Sequence, residues 1–144
     1  MNASADETLG IAQTFMAAFE RRDAATLLSM LHENAVLEVA YPFLKGENGL
    51  GNPRQTGAAV PAYIEEFRKR SAAVRFSNSV WRTTSDGLAL FQTDSVMRLS
   101  DGSLYANHYL FWFAVADGKI VWWREYYNPV AAARAFGLPL EAMP

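Results

Sequence analysis

The sequence predicts an α+β fold in which helices pack on one face of a curved antiparallel sheet. Apolar residues recur at helical spacing in the first half of the chain. In the second half, three Asp-Gly pairs stand 15 and 16 residues apart between apolar runs, and Asp-Gly in that setting is a strong hairpin signal. A length of 144 residues suits one domain, so we expect residues 1–144 to form a single layered unit.

Four helices are predicted from the spacing of the apolar residues. The first covers residues 7–21, and Asp23 stands where it can cap a second, short helix. A third helix covers about 58–71, and a fourth covers 130–136 after the sheet. The apolar stripes are Leu27, Leu28 and Leu31 in the second helix, and Val60, Tyr63, Ile64 and Phe67 in the third.

The predicted strands comprise one early segment and a later meander. The early strand runs from Val36 to Phe43, and Pro42 bends or ends it. Residues 44–57 form a loop longer than the usual ~4–6 residues, and we expect this loop to stand at the mouth of a pocket. Because the Asp-Gly turns join neighbouring strands, the meander is antiparallel. Its strands are predicted at 74–85, 88–100, 103–116 and 119–128.

Composition argues against several kinds of function. The chain has no cysteine, which excludes disulfides, thiolate metal sites and a cysteine nucleophile. Its net charge of −2 and the lack of a basic stripe argue against a nucleic-acid partner. With two histidines and no Gly-rich phosphate loop, we expect neither a metal nor an organic cofactor. Since no signal peptide or long apolar run is evident, we expect a cytoplasmic protein that does not enter a membrane.

Aromatic residues are concentrated in the last two predicted strands. The chain holds 9 Phe, 6 Tyr and 4 Trp, and nine of these residues lie between Tyr105 and Tyr127. Such a density is typical of an aromatic core, a cavity wall or an interface. Large apolar residues occupy both faces of these strands, so we expect helices to cover one face and a second subunit the other. The result is a predicted homodimer through the sheet.

The last hairpin predicts which side chains share a face. If its Asp-Gly pair is a two-residue loop, His108 and Glu125 become diagonal neighbours on one side of the sheet. The same counting places Asp94 on the other side. One bulge or a three-residue loop would invert part of this assignment. The residues predicted to share the side of the histidine are Trp112, Trp123, Glu125 and Tyr127.

A histidine beside a carboxylate in an aromatic pocket suits acid–base chemistry. A low dielectric raises the pKa of a buried carboxyl, and histidine titrates near neutral pH, so Glu125 or His108 could transfer a proton. Asp94 is the reserve candidate if the register is shifted. Two alternatives stay open: Glu125 pairs with an arginine at a sheet edge, or His108 is a hydrogen-bonded structural residue. The arginines in question are Arg82, Arg98 and Arg124.

The run from Trp123 to Pro129 follows the turn at 117–120 and a strand that contains residues 105–109. With two helices separated by an Asp, a third helix and a long meander, this order resembles the SnoaL-like branch of the NTF2-like superfamily. That superfamily includes ketosteroid isomerases and polyketide cyclases. The C-terminal part is similar to the phenazine-biosynthesis A/B proteins, in which the residue matching Glu125 is a catalytic acid. The resemblance covers nearly the whole chain and implies an NTF2-like cone with a pocket between helices and sheet.

Together these observations predict an isomerase, cyclase, lyase or condensation enzyme acting on an apolar carbonyl-bearing or cyclic metabolite. Glu125 is the predicted acid or base and His108 its partner, while Tyr41 or Tyr127 orients the substrate oxygen. The predicted apolar wall consists of Trp112 and Trp123. The fold implied by the resemblance also serves as a non-catalytic ligand-binding or protein-binding module. This alternative predicts a pocket filled by the protein's own aromatic side chains.

Overall fold

The structure is a computed structural model that describes residues 3–41 and 54–137. It confirms the predicted α+β class, with helices against a curved sheet. The helices are α1 (Ala5–Glu20), α2 (Ala24–Ser29), α3 (Ala59–Arg70) and α4 (Pro129–Ala135). The strands are β1 (Leu31–Val39), β2 (Arg54–Gln55), β3 (Ser71–Thr83), β4 (Ala89–Leu99), β5 (Leu104–Ala116) and β6 (Lys119–Tyr127).

The strands form one sheet in the order β2-β1-β6-β5-β4-β3. Its pairs are antiparallel except β1 with β6, which run parallel, so the sheet is mixed rather than wholly antiparallel as predicted. Leu31 opens β1 and does not belong to the second helix, because it pairs with Ile120 of β6. Most of the predicted loop at 44–57 lies outside the described residues, and its end at 54–55 forms β2.

Side-chain caps account for the starts of three helices. Ser4, Asp23 and Asn128 precede α1, α2 and α4, and each accepts a hydrogen bond from a backbone amide of the first turn. The donors are the amides of Glu7 at 3.1 Å, Thr26 at 3.1 Å and Val130 at 3.0 Å. The predicted cap at Asp23 is therefore confirmed.

The three predicted hairpins are present, but their turns differ. Asp117 and Gly118 both have positive φ, 54° and 72°, as a two-residue type I′ turn requires. At the other two Asp-Gly pairs only the glycine has positive φ, 91° at Gly87 and 88° at Gly102. The Gly102 amide donates to the Leu99 carbonyl at 2.9 Å, which is the geometry of a longer turn ending in a left-handed residue. This turn shifts the pairing of β4 and β5 by one residue from the prediction.

A β-bulge shifts the register of the last hairpin as well. Ala116 pairs with Lys119 as predicted, but Ala114 pairs with Trp122 because Val121 is an extra residue in β6. Since side chains alternate along a strand, a one-residue shift exchanges the two faces. One shift lies between β4 and β5 and the other between β5 and β6, so β4 and β6 keep the relation that was predicted for them. The residues predicted for the two faces are therefore exchanged in β5 alone.

The core lies between the helices and one face of the sheet, here termed the inner face; the opposite face is termed the outer face. The ring of Phe15 from α1 packs 5.5 Å from the ring of Trp123 and 6.1 Å from that of Phe113. Phe19 from the same helix packs on Phe67 of α3. Neither α1 nor any other helix in the described ranges has the length and hydropathy that a membrane span requires.

Candidate active site

Two adjoining cavities lie between α3 and the inner face. The first, termed the Glu125 cavity, has a volume of about 60 Å³ and is lined by Tyr63, Phe67, Tyr109, Phe111 and Glu125 among others. The second, termed the Tyr127 cavity, has a volume of about 70 Å³ and is lined by residues that include Arg70, Tyr105, Tyr127 and Phe136. The two share Tyr63, Phe67, Met97 and Tyr109 as walls. Each exceeds the ~10–15 Å³ that one water needs.

Glu125 is the acid in this part of the molecule. It lies on β6, next to the centre of the sheet, and is only 4% exposed. The hydroxyl of Tyr63 donates to its Oε2 at 3.0 Å, and the indole Nε1 of Trp123 donates to its Oε1 at 3.3 Å. Both donors are uncharged. The carboxyl is thus held in one orientation by neutral donors, and no cation of the described residues pairs with it.

This environment changes the acidity of the carboxyl. Burial raises the pKa of Glu125 from 4.5 to about 7, and the hydrogen bonds from Tyr63 and Trp123 limit the rise. Glu125 therefore carries a proton in a large fraction of molecules near neutral pH. A group with its pKa near the working pH is suited to give and to take protons.

Four tyrosines of the two cavities lie close enough to this carboxyl for its charge to affect them. Burial raises the pKa of Tyr105 to about 12, and it raises the pKa of Tyr63, Tyr109 and Tyr127 above the usual value as well. The negative charge of ionised Glu125 contributes to each increase. Their hydroxyls are consequently neutral near pH 7 and act as hydrogen-bond donors and acceptors.

The predicted dyad of His108 and Glu125 is wrong. His108 lies on the outer face with its side chain 86% exposed, because the register of β5 differs from the prediction by one residue. Its Nδ1 lies 2.6 Å from Oδ1 of Asp94, the residue directly opposite it on β4. Asn78 donates to the other carboxylate oxygen of Asp94 at 2.8 Å. Hydrogen bonds from Asn78 and then His108 lower the pKa of Asp94.

Asp94 therefore does not reach either cavity, although the register did shift. The shift affects the faces of β5 and leaves β4 and β6 in their predicted relation, so Asp94 stays on the face opposite Glu125. The surface pair of Asp94 and His108 has the composition of a catalytic dyad but stands in solvent. The prediction that His108 or Asp94 acts together with Glu125 is therefore wrong.

Of the four residues predicted to bind substrate, two lie on the inner face, and of these Tyr127 lines one of the two cavities. Trp123 and Tyr127 share the inner face with Glu125, as predicted. Trp112 pairs with Arg124 on the outer face, again because of the register of β5. Tyr41 is 58% exposed, and its ring lies 6.2 Å from that of Tyr126, which is also an outer-face residue. Trp112 and Tyr41 are thus removed from the candidate site.

The alternative in which Glu125 pairs with an arginine is also wrong. Among the ion pairs between described residues, none includes Glu125. Its position beside the centre of the sheet brings it to Tyr63 instead. Within the same residues, no group of three or more potential ligands is placed to hold a metal ion.

The sequence did not reveal the role of Tyr63 in the site, nor that Asn107 holds a tyrosine that lines it. Tyr63 was recognisable only as part of the buried stripe of α3, and its contact with Glu125 depends on how that helix crosses the sheet. Asn107 lies on the inner face of β5 and donates to the hydroxyl of Tyr105 at 2.7 Å. An alternating pattern read in the correct register would place Asn107 on the same face as Glu125.

A mixed curved sheet covered by helices, with a buried acid between the layers, is the arrangement of an NTF2-like protein. The SnoaL-like domain model matches residues 12–123. YesE of Bacillus subtilis (strain 168) is 30% identical over 126 residues, which are 85% of this chain and 82% of that protein. The chain belongs to the SnoaL-like family, and the resemblance noted from its sequence is confirmed.

Solved structures agree on the fold. A crystal structure from Bacillus subtilis, of a protein provisionally assigned as an isomerase, matches with a TM-score of 0.76 and 24% identity, over 92% of this chain and 94% of that one. An NTF2-like protein from Burkholderia xenovorans LB400 matches with a TM-score of 0.71 and 20% identity, over 94% and 98% of the two chains. At these identities the likeness establishes the architecture and not the reaction.

Proposed function

We propose that this protein is an enzyme that transfers protons on a small neutral molecule, with Glu125 as the acid and base. The observation that carries the proposal is the Glu125 carboxyl itself. It is buried in a cavity wall, its hydrogen-bond donors among the described residues are uncharged, and its pKa is about 7. A carboxyl kept solely for stability would be expected to face a cation or solvent. Membership in the SnoaL-like family and a neighbour assigned as an isomerase support a general enzymatic role.

The cavity walls indicate the class of substrate. The lining of the Glu125 cavity is aromatic and aliphatic, and its described residues include no Lys or Arg. A neutral, mostly apolar compound fits such a wall better than an anion does. The polar atoms that face it are hydroxyls and one carboxyl, which suit a carbonyl oxygen and an adjacent acidic C–H group. Proton transfer at that carbon is the elementary step of isomerases, cyclases and lyases of this kind.

Tyr63 and Trp123 orient the acid for this step. Each donates to a different oxygen of Glu125, so the carboxyl plane is fixed while lone pairs on both oxygens remain for a proton. As the carboxylate, Glu125 removes a proton from the substrate carbon. As the carboxylic acid, it returns the proton to another atom of the same substrate. The protein's own side chains suffice for this cycle.

One observation favours a second candidate, a binding module without catalysis. The cavities of about 60 and 70 Å³ are much smaller than the ~300–1,000 Å³ of common ligand sites. Aromatic rings of the protein occupy much of the space between α3 and the sheet. A small ligand could be held there by the tyrosine hydroxyls without any reaction. In the first candidate Glu125 exchanges a proton with the bound molecule. In the second candidate the molecule binds and no proton is transferred.

Hydrogen–deuterium exchange tests the proposal directly. A panel of small cyclic ketones and enones in D₂O is incubated with the protein, and loss of the α-proton signals is followed by NMR. We expect the wild type to accelerate exchange for at least one compound. Glu125→Gln keeps the size of the side chain, and its amide oxygen can still accept from the Trp123 indole, but it cannot take a proton, so its rate should fall by about 10²–10⁴-fold.

His108→Gln is the matched control, because His108 is exposed on the outer face. We expect this variant to exchange protons at the wild-type rate. Undiminished exchange in Glu125→Gln contradicts the proposed role of the carboxyl. A wild type that binds members of the panel and accelerates exchange of none of them favours the binding module.

A further inference from the structure

A groove lies between α1 and β3, the strand at one edge of the sheet, and is termed the α1–β3 groove. Its volume is about 210 Å³. The residues that line it are Gln13, Met16, Ala17, Glu20, Phe76, Ser79, Trp81 and Phe91. Met16 and Phe76 are also walls of the Glu125 cavity, but Glu125 itself is not among the described walls of the groove. The groove is therefore a separate site beside the candidate active site.

A β-bulge in β3 brings two aromatic side chains to this groove. Phe76 and Trp81 are five positions apart, so on a regular strand their side chains would lie on opposite faces of the sheet. The pairing of β3 with β4 shifts by one residue around Asn78, which has a φ of 53°. Phe76 and Trp81 consequently share the inner face, where Trp81 lies opposite Phe91 of β4.

Three aromatic rings form one wall of the groove. The rings of Trp81 and Phe91 stack with 4.2 Å between their centroids and 17° between their planes. The ring of Phe76 meets that of Phe91 edge to face at 5.6 Å. Phe91 is only 3% exposed, whereas Trp81 and Phe76 are half-buried and present most of the aromatic surface that a ligand can contact. The faces of such rings attract cations, and the indole of tryptophan attracts them most strongly.

Glu20 is the charged residue of the groove. It ends α1 and is exposed, and its Oε2 accepts from the backbone amide of Phe76 at 2.7 Å. This hydrogen bond holds the carboxylate beside the aromatic wall. Among the ion pairs between described residues none includes Glu20, and the described walls of the groove include no Lys or Arg. The electrostatic potential of the groove therefore favours a cation and disfavours an anion.

The number of oxygen atoms indicates which kind of cation fits. Mg²⁺ and Ca²⁺ take six or more oxygen ligands, whereas the groove has a single carboxylate among its described walls. No group of three or more potential metal ligands occurs in the part of the chain that the structure describes. An alkylated ammonium ion needs no such ligand set, because its alkyl groups carry part of the charge and contact aromatic rings directly.

We propose that the α1–β3 groove binds a small organic cation with an alkylated ammonium group, which packs on Trp81 and Phe76 and pairs with Glu20. The volume of about 210 Å³ is enough for a free molecule of this kind and several times the ~30 Å³ of one water. This site goes beyond the proposed function and does not depend on it, since the cation contacts Glu20 and not Glu125.

Choline provides the test, together with its neutral analogue in which a tert-butyl group replaces the trimethylammonium group. The two compounds have the same shape and differ in charge. Binding is measured by saturation-transfer NMR titration at low ionic strength and about pH 8, where Glu125 is mostly ionised. We expect the wild type to bind choline about tenfold more tightly than the neutral analogue.

Two variants of the groove should weaken the binding of choline. Trp81→Leu removes the indole and should weaken it about tenfold. Glu20→Gln removes the charge and should weaken it about fivefold, while its amide oxygen can still accept from the backbone amide of Phe76. Thermal unfolding followed by circular dichroism establishes that each variant is folded. Glu20→Gln and the neutral analogue give the answer if Trp81→Leu does not fold.

Trp122→Leu and Glu7→Gln are the matched controls, because they make the same two changes away from the groove. Trp122 lies on the outer face, and Glu7 lies in the first turn of α1. Both variants should bind choline within about twofold of the wild type. The inference is overturned if the wild type binds choline no more tightly than the neutral analogue, or if a folded groove variant binds choline as the wild type does. An equal loss in the controls also overturns it.

The variant Glu125→Gln separates this inference from the proposed function. It should bind choline as the wild type does. Loss of binding in Glu125→Gln with none in Glu20→Gln would place the cation in the Glu125 cavity and overturn the inference. Undiminished proton exchange in Glu125→Gln, with choline bound as in the wild type, removes the acid–base role and leaves the cation site in place.

Discussion

The inner and outer faces of the sheet each carry a carboxyl with hydrogen-bond partners, and the two differ in every property that matters for catalysis. On the inner face, Glu125 is buried, receives hydrogen bonds from Tyr63 and Trp123, and has a pKa raised to about 7. On the outer face, Asp94 is bonded to Asn78 and His108, and these contacts lower its pKa. The surroundings thus disfavour the charged carboxylate of Glu125 on the inner face and favour that of Asp94 on the outer face.

The comparison shows that surroundings, more than residue types, identify the reactive group. His108 and Asp94 form the pair that looks most like a catalytic dyad, with 2.6 Å between ring nitrogen and carboxylate oxygen. It lies in solvent, where an ion pair of this kind contributes little to stability. Within residues 3–41 and 54–137, Glu125 pairs with no histidine or other cation, yet burial raises its pKa to about 7, which suits a general acid.

The largest expected difference between the faces is in the loss of stability when one of two adjacent tryptophans is replaced. Trp123 is fully buried on the inner face, whereas Trp122 is half-buried on the outer face and donates to Glu38 at 2.8 Å. We expect Trp123→Ala to lower the free energy of unfolding by about 3–5 kcal/mol, because it leaves a cavity in the core. Trp122→Ala should cost less than about 2 kcal/mol. Urea unfolding at pH 7 measures both, and equal losses would contradict the division into a core face and an open face.

The sequence allowed this division to be predicted in part. Helices, hairpins and the cap at Asp23 follow from local signals, and a helix-covered α+β sheet results. Glu125, Trp123 and Tyr127 were placed together correctly because they lie at alternate positions of one strand. The faces of β5 were inverted, since the bulge at Val121 and the longer turn at Gly102 are single-residue changes without a sequence signal of their own. A prediction that is wrong by one residue in register still gives the correct fold, but it assigns the wrong side chains of that strand to the site.

The second difference concerns how stability depends on pH. The pKa of Glu125 is higher in the folded chain than its usual 4.5, so the stability gained from its proton is present below pH 4.5 and is lost as the pH rises through about 7. Glu125→Gln has no proton to lose. Relative to the wild type it should therefore gain on the order of 3 kcal/mol between about pH 4.5 and pH 8.

Asp94→Asn should show the opposite dependence. The pKa of Asp94 is lowered in the folded chain, so its contribution is present above the usual value of 3.8 and is lost as the pH falls below that value. The variant should be less stable than the wild type at neutral pH, and the difference should vanish in acid. Urea titrations at several pH values give both curves. Curves of the same sign for the two variants would show that the faces do not differ in this way.

Substitutions in the middle of the outer face are expected to change the stability of a single chain least. We propose that a second copy of the protein packs on this part of the sheet. Leu110, Trp112 and Trp122 are partly exposed there, and the exposed apolar residues Val96 and Leu104 extend the surface. The Nε1 of Trp112 is buried without a hydrogen-bond acceptor among the described residues, and so is the Nε of Arg124, which lies 3.9 Å from Oε2 of Glu38. A second copy, packed face to face, would cover the apolar surface and bring acceptors to these donors.

Light scattering at micromolar concentration should give the mass of a dimer for the wild type and of a monomer for Leu110→Lys. Because the side chain of Leu110 is only partly buried in one chain, the variant should keep the secondary structure of the wild type by circular dichroism. Gln13→Lys, on the exposed side of α1, adds the same charge away from this face and should remain dimeric. A monomeric wild type would mean that the outer face is open to solvent. The two faces would then differ only in that the helices cover the inner face, while the apolar residues around Trp112 on the outer face stay exposed to solvent.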